Sequence, residues 1–159
     1  MKVLNIHERI IHQPFEKVAP LLLTLATKND AVWPKEQWPS MRFRDGLTEG
    51  AEGGHGPIRY TVVHYDPPHS ATFRFSKPKG FDGTHTLAIE EVASESTKLK
   101  HTIDMKTTGA ATLSWALAIR WLHDALIEDA FDKLENQLTG LNKRTPWSLW
   151  VRTLRKVLN

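Results

Sequence analysis

Cysteine is absent from the 159 residues. That excludes disulfides, thiolate zinc sites, iron–sulfur clusters and cysteine nucleophiles, and leaves any chemistry to histidines, carboxylates, hydroxyls and cations. Long apolar runs are missing as well. A stretch such as Trp115–Ile119 is far too short to cross a bilayer. The opening MKVLNIHERI meets polar Asn5, His7, Glu8 and Arg9 before an apolar core of signal-peptide length develops. The expectation is a soluble, cytoplasmic protein. The Gly-rich stretch GAEGGHG at 50–56 lacks the Gly-Lys-Ser/Thr ending of a phosphate-binding loop, and neither HxH nor HExxH occurs, so no phosphate cradle, cofactor or metal is expected.

The length suits one domain, burying roughly 70% of its unfolded surface. The net charge of +3 is small but unevenly placed. Residues 141–159 hold Lys143, Arg144, Arg152, Arg155 and Lys156 with no acid, which leaves 16 cations and 18 acids in residues 1–140. The basicity therefore belongs to a tail. No basic stripe runs elsewhere, so a nucleic-acid partner is not expected.

Along the chain, VLNIHERIIH at 3–12 alternates as a strand, with Leu4, Ile6, Glu8 and Ile10 on the face read as inward and Asn5, His7 and Arg9 opposite. Pro14 opens a helical stretch through Phe15, Val18, Leu22 and Leu25 that Pro20 should split. A further helical piece is expected near Asp30–Trp38. From Met41 to Thr108 the pattern becomes β: MRFRDGL, GPIRYTVVHY, HSATFRFS, GTHTLAIEEV and TKLKHTIDMKT, joined by short links that imply antiparallel neighbours. Residues 112–139 form the longest helical candidate, with Gly140 as its cap. This order predicts an α+β fold in which a curved antiparallel sheet wraps around a long carboxy-terminal helix, with short helices after the first strand.

The element order, together with GGHGPIRYTVVHYDPP at 53–68, FRFSKPKGFDGTHTLAIE at 73–90 and RWLHDALIEDAFDKLE at 120–135, resembles the SRPBCC superfamily. These are the START-related helix-grip proteins that include polyketide cyclases and dehydrases, lipid-transport domains and many uncharacterised bacterial members. The resemblance covers about residues 3–138. It implies a helix-grip domain over residues 1–140, with an internal cavity that holds a hydrophobic small molecule or lipid. It implies no particular reaction, because binders, carriers and enzymes share the scaffold.

Alternation assigns to the concave face Ile58, Tyr60, Val62 and His64, then Phe73 and Phe75, then His85, Leu87 and Ile89, then Leu99, His101, Ile103 and Met105. All of these but Ile58 and Leu99, with Ile119 and His123 from the helix, make the candidate ligand-binding set. Trp33, Trp38 and Met41 are candidates for its entrance. By residue type alone the same positions suit a solid core; the resemblance favours a cavity. His12 also reads as inward. A turn centred on Glu95 sets His101 opposite Ile89 and His85 opposite Met105, too far apart for one compact metal site.

Two readings of function stay open at this stage. In the first, the protein binds or carries its ligand without changing it. In the second, it is a cyclase- or dehydratase-like enzyme using Tyr60, His85, His101 or His123, with Arg120, Asp124 and Glu128 on the same helix and Glu8 facing it. In the tail, TPWSLWVRTLRKVLN at 145–159 reads as an amphipathic helix capped at Thr145 and Pro146. Its docking residues are Trp147, Trp150, Arg152, Arg155 and Lys156. Such a helix suits the protein's own acidic body, a second subunit, or a peripheral seat on anionic lipid.

Overall fold

The computed structural model describes residues 1–158. Seven strands form one antiparallel sheet in the order β1-β7-β6-β5-β4-β3-β2. They are β1 (Lys2–Ile11), β2 (Arg42–Phe43), β3 (Glu52–His55), β4 (Ile58–Asp66), β5 (Ser70–Lys77), β6 (Phe81–Ala93) and β7 (Ser96–Thr107). A short helix, α1 (Phe15–Leu22), follows β1. After β7 the chain becomes helical through α2 (Ala110–Ser114), a π-helical turn (Trp115–Ile119) and α3 (Arg120–Thr139), and ends in α4 (Leu149–Leu158). The architecture is α+β, a curved antiparallel sheet gripping a long helix. Among the described residues, no helix is long and apolar enough to cross a membrane.

Every link between β3 and β7 is a hairpin, so strands adjacent in sequence are adjacent in space, and their alternation gives the sheet one apolar face. That face, with α1 and α3, buries Tyr60, Val62, Phe73, Ile89, Leu99, Leu126, Phe131 and Leu134 in one core. The Gly-rich stretch at 50–56 supplies β3 rather than a loop. It is Gly-rich for a steric reason: a Cβ on Gly53 would stand 2.4 Å from Arg42 O and from the Phe43 ring. No helix forms at Asp30–Trp38. The buried Asp30 carboxylate instead accepts backbone N–H groups from Ala26, Val32 and Trp33 at 2.7–2.8 Å, holding a compact turn.

The largest departure from the sequence pattern is in β1. Leu4, Ile6 and Ile10 lie outward, 62%, 48% and 42% exposed, whereas Asn5, His7 and Arg9 face α3. The reason lies in the helix. Its side toward β1 carries Asp124, Glu128, Asp132 and Glu135, so the polar residues of β1 find their partners inside. The Arg9 guanidinium meets Glu128 at 2.7 Å, Glu135 at 3.1 Å and the buried Asp132. Glu8 points away from the helix and pairs with Lys100 at 3.0 Å. His12, beyond the last strand residue, is exposed.

Because Arg9 serves three carboxylates in a largely buried setting, Arg9→Ala should cost about 3 kcal/mol, the scale for stranding buried charge. The companion variant Arg9→Met with Asp132→Leu should recover part of that loss. Urea denaturation of the three proteins measures both; an Arg9→Ala midpoint equal to wild type would refute the assignment.

Candidate functional site

Between the sheet and α3 lies a cavity of about 370 Å³. The helical residues that line it follow a helix period: Trp115, Ala118, Ile119, Leu122, His123, Leu126, Ile127, Ala130 and Phe131. The π turn sits where this stripe begins, and it brings Trp115 against Phe81, with the ring centroids 6.0 Å apart. Phe73, Phe75, Phe81, His85, Leu87, His101 and Ile103 supply the sheet side. Trp33, Trp38, Met41 and His55 line one end, and Leu154, Arg155 and Leu158 of α4 reach in from the tail.

Of the ligand residues expected from alternation, Phe73, Phe75, His85, Leu87, His101, Ile103, Ile119 and His123 line this space. Tyr60, Val62, Ile89 and Met105 are buried beneath it and lie outside the lining. His64 is a correction. A bulge between Val62 and His64 inserts Val63 as an extra residue, so Tyr65 turns inward and His64 turns out, 3.3 Å from Glu49.

The second correction is the register of His85 and His101. The hairpin turns at Ser94 and Glu95, with Val92 as an extra residue, so Leu87 pairs with His101 and His85 with Ile103. The two imidazoles thereby become diagonal neighbours, His101 Nε2 standing 3.4 Å from His85 Nδ1. The outer nitrogens, His85 Nε2 and His101 Nδ1, have no hydrogen-bond partner among the described residues. Both rings are almost fully buried. Phe73 and Phe75 stack on His85 at centroid distances of 4.7 and 4.9 Å, and Tyr60 meets it edge-on at 4.7 Å.

His55, which its Gly-rich surroundings concealed in the sequence, accepts or donates to the Tyr60 hydroxyl across 3.1 Å. Burial, reinforced by the positive potential of His123 and Arg59, lowers its pKa to about 3. Burial also drives His85 and His101 well below the ordinary histidine range, and raises the Tyr60 phenol. The pocket therefore presents neutral polar groups at neutral pH.

At the β1 side the electrostatics reverse. His7 lies between two carboxylates, Nδ1 at 2.9 Å from Glu128 and Nε2 at 3.1 Å from Asp124. Burial alone would lower its pKa, but the bonds and charges of Asp124 and Glu128 outweigh that and raise it. His123 stands 3.5 Å from Asp124 Oδ1 and, among the described residues, makes no hydrogen bond through either nitrogen. His7, His123 and Asp124 each bring one ligand-type atom within 4.8 Å of the other two. The constellation read along α3 thus completes itself through His7 rather than Glu8.

The tail folds back on the body. Its helix starts at Leu149, three residues later than the Thr145–Pro146 cap suggests; Ser148 Oγ accepts from Val151 N at 3.2 Å, while the Thr145 N–H is taken by Asp132. Asp129 accepts from the indoles of Trp38 at 2.7 Å and Trp147 at 2.9 Å. Arg155 lies over both rings, 4.5 and 5.2 Å from their centroids, and donates to Gln37 O. The Trp150 indole donates to Leu117 O at 3.0 Å. Arg152 and Lys156 stay exposed.

No family model and no curated protein matches the chain by sequence. Solved structures do match its shape. A Thermobifida fusca protein superimposes with a TM-score of 0.65 at 13% identity, over 91% of this chain and 99% of that one. The protein CalU16 from Micromonospora echinospora gives 0.58 at 16%, over 99% and 91%. A point mutant of norcoclaurine synthase from Thalictrum flavum, in complex with a transition-state analogue, gives 0.60 at 13%, over 86% and 97%. At these identities the likeness establishes the fold, a helix grip.

Neutral buried histidines carry a pH signature. Their folded pKa lies below the unfolded value near 6.5, so as pH falls below about 6.5 the unfolded chain takes up protons that the folded chain refuses, and stability declines. For His55 that decline should continue to about pH 3. His55→Phe should flatten the slope of unfolding free energy between pH 6 and 4 by about 1.4 kcal/mol per pH unit, one proton's worth. Denaturant titrations across that range read the slope, and an unchanged slope would contradict a neutral His55.

Proposed function

We propose that the protein binds an apolar small molecule or lipid in the cavity between sheet and α3, as a binding or carrier member of the SRPBCC superfamily. The observation that carries this reading is an apolar enclosure of about 370 Å³, within the range of small-molecule sites, in which the lining residues His85 and His101 keep unpartnered nitrogens. An apolar body with one or two neutral hydrogen-bonding groups matches that chemistry. At the His85–His101 end a strongly anionic ligand meets only neutral rings; the cation of the lining, Arg155, stands at the tail end. The helix-grip likeness and the three segments quoted from the sequence support the superfamily reading.

The test is native mass spectrometry of protein purified without denaturation, together with titration of N-phenyl-1-naphthylamine followed by fluorescence. A one-to-one complex is expected, weakened at least tenfold by Leu126→Trp, which fills the lining. Absence of any bound apolar compound in both experiments would overturn the reading. Arg155→Ala removes the cation seated between Trp38 and Trp147 at the tail side of the cavity; dye release measured by stopped flow should quicken severalfold with little change in the unfolding midpoint.

A further inference from the structure

We propose that His7, Asp124 and His123 form a binding site for a divalent transition cation of the Zn²⁺ type, built across β1 and α3 at the edge of the cavity. The two histidines lie 116 positions apart in the sequence, so no linear spacing announces the site; the fold assembles it. His7 Nε2 is 3.1 Å from Asp124 Oδ1, and His123 Nδ1 is 3.5 Å from the same oxygen. Two ligands held about 2.0–2.1 Å from one tetrahedral ion stand about 3.3 Å apart; both distances to Asp124 match that within a few tenths of an ångström, and the two imidazoles, whose ligand atoms lie within 4.8 Å of each other, close on the ion as it binds. Two imidazoles and a carboxylate form the N/O donor set that such ions take when thiolates are absent.

Three further observations point to a cation rather than to a salt-bridge cluster alone. First, His123 packs between His101 and Trp115, at centroid distances of 4.9 and 6.2 Å, with both nitrogens unpartnered among the described residues. A ring so placed, with no contact better than Asp124 Oδ1 at 3.5 Å, gains when something binds its nitrogens. Second, the groups behind the ligands are those a metal site needs. The other nitrogen of His7 lies 2.9 Å from Glu128, which fixes the ring and its tautomer in the manner of a carboxylate–histidine–metal triad, and Glu128 is itself held by Arg9 at 2.7 Å. Asn5 Nδ2 donates to Asp124 Oδ1 at 3.0 Å and steadies the carboxylate. Third, the ligands sit on rigid elements, the middle of a ten-residue strand and the first turn of a twenty-residue helix.

Three protein ligands leave a fourth position. Because His123 also lines the cavity, that position is available to water or to a ligand oxygen. The ion binds whether or not the cavity is filled, and its binding requires no reaction.

Full-length protein without a histidine tag, stripped with EDTA, is titrated with ZnCl2 by calorimetry. Separately, CoCl2 is added and the visible d–d absorption recorded, which reports nitrogen and oxygen coordination directly. One ion per chain is expected. His123→Ala and Asp124→Asn should each weaken Zn²⁺ binding more than 100-fold and abolish the Co²⁺ spectrum. Glu128→Gln should weaken binding about 10–100-fold while keeping the spectrum of the ligand set. His64→Ala, which removes an exposed histidine on the outer face, should leave both readouts unchanged. Circular dichroism and the unfolding midpoint establish that each variant is folded, and His123→Gln replaces His123→Ala if the latter is not. No Zn²⁺ binding by the wild type, or equal binding by the folded His123 variant, overturns the site. Neither result touches the apolar-ligand reading, which the dye titration decides separately.

Discussion

The charged seam between β1 and α3 is the constraint on which the rest of the structure depends. Apolar burial is nondirectional, so apolar contacts alone fix the height and rotation of a helix across a curved sheet less sharply than directional bonds do. Here Arg9, His7 and Asn5 engage Asp132, Glu135, Glu128 and Asp124 at hydrogen-bond distances along more than two turns of α3. Directional bonds of fixed length set both the rotation and the standoff of the helix. With one side of α3 pinned in this way, its other side spans the concave face through Leu122, Leu126, Ala130 and Phe131, and the space beneath them persists as a cavity.

From the seam inward, the electrostatic environment changes over a few side chains. His7, at the seam, is held toward its charged form by two carboxylates, whereas His85 and His101, a short distance along the sheet, are held neutral by burial. One residue type thus serves two purposes, ion pairing at the rim and neutral hydrogen bonding in the interior, and the environment alone decides which. His123 stands between the two, with Asp124 drawing its pKa up and burial pushing it down more strongly.

Much of this was legible from residue order. The hairpin run from Met41 to Thr108, the long helix ending at Gly140, and the inward set from Phe73 to Ile103 follow from period-two alternation and turn residues, which are local properties. What was not legible depends on single-residue events or on distant partners. Val63 and Val92 each insert one residue, and that suffices to turn His64 outward and to bring His85 beside His101. The face of β1 was inverted because counting apolar side chains favours Leu4, Ile6 and Ile10 as the buried set. Only knowledge that α3 places four carboxylates opposite β1 reverses the count. His55 was hidden for a related reason: Gly53 and Gly54 before it read as loop flexibility, when neighbouring backbone, and at Gly53 the Phe43 ring, leave no room for a Cβ.

The tail shows how charge segregation along a chain becomes a tertiary contact. Residues 1–140 are slightly acidic and residues 141–159 wholly basic, and the contact between them is made where α3 is acidic: Asp129 takes two indole N–H groups, and Asp132 takes both the Arg9 guanidinium and the backbone at Thr145. Asp132 therefore links the seam to the tail through one carboxylate. The seam orients α3, α3 presents Asp129 and Asp132 to the chain that follows, and that chain returns Leu154, Arg155 and Leu158 to the cavity. A helix whose Leu149, Trp150, Val157 and Leu158 remain 46–77% exposed is not held by its apolar face alone. Arg155 seats it on the Trp38 and Trp147 rings and on Gln37 O, Trp150 on Leu117 O, and Asp129 of α3 holds those two rings by their indole N–H groups, so the closing of the cavity at this end depends, at one remove, on where the ion pairs hold α3 over the sheet.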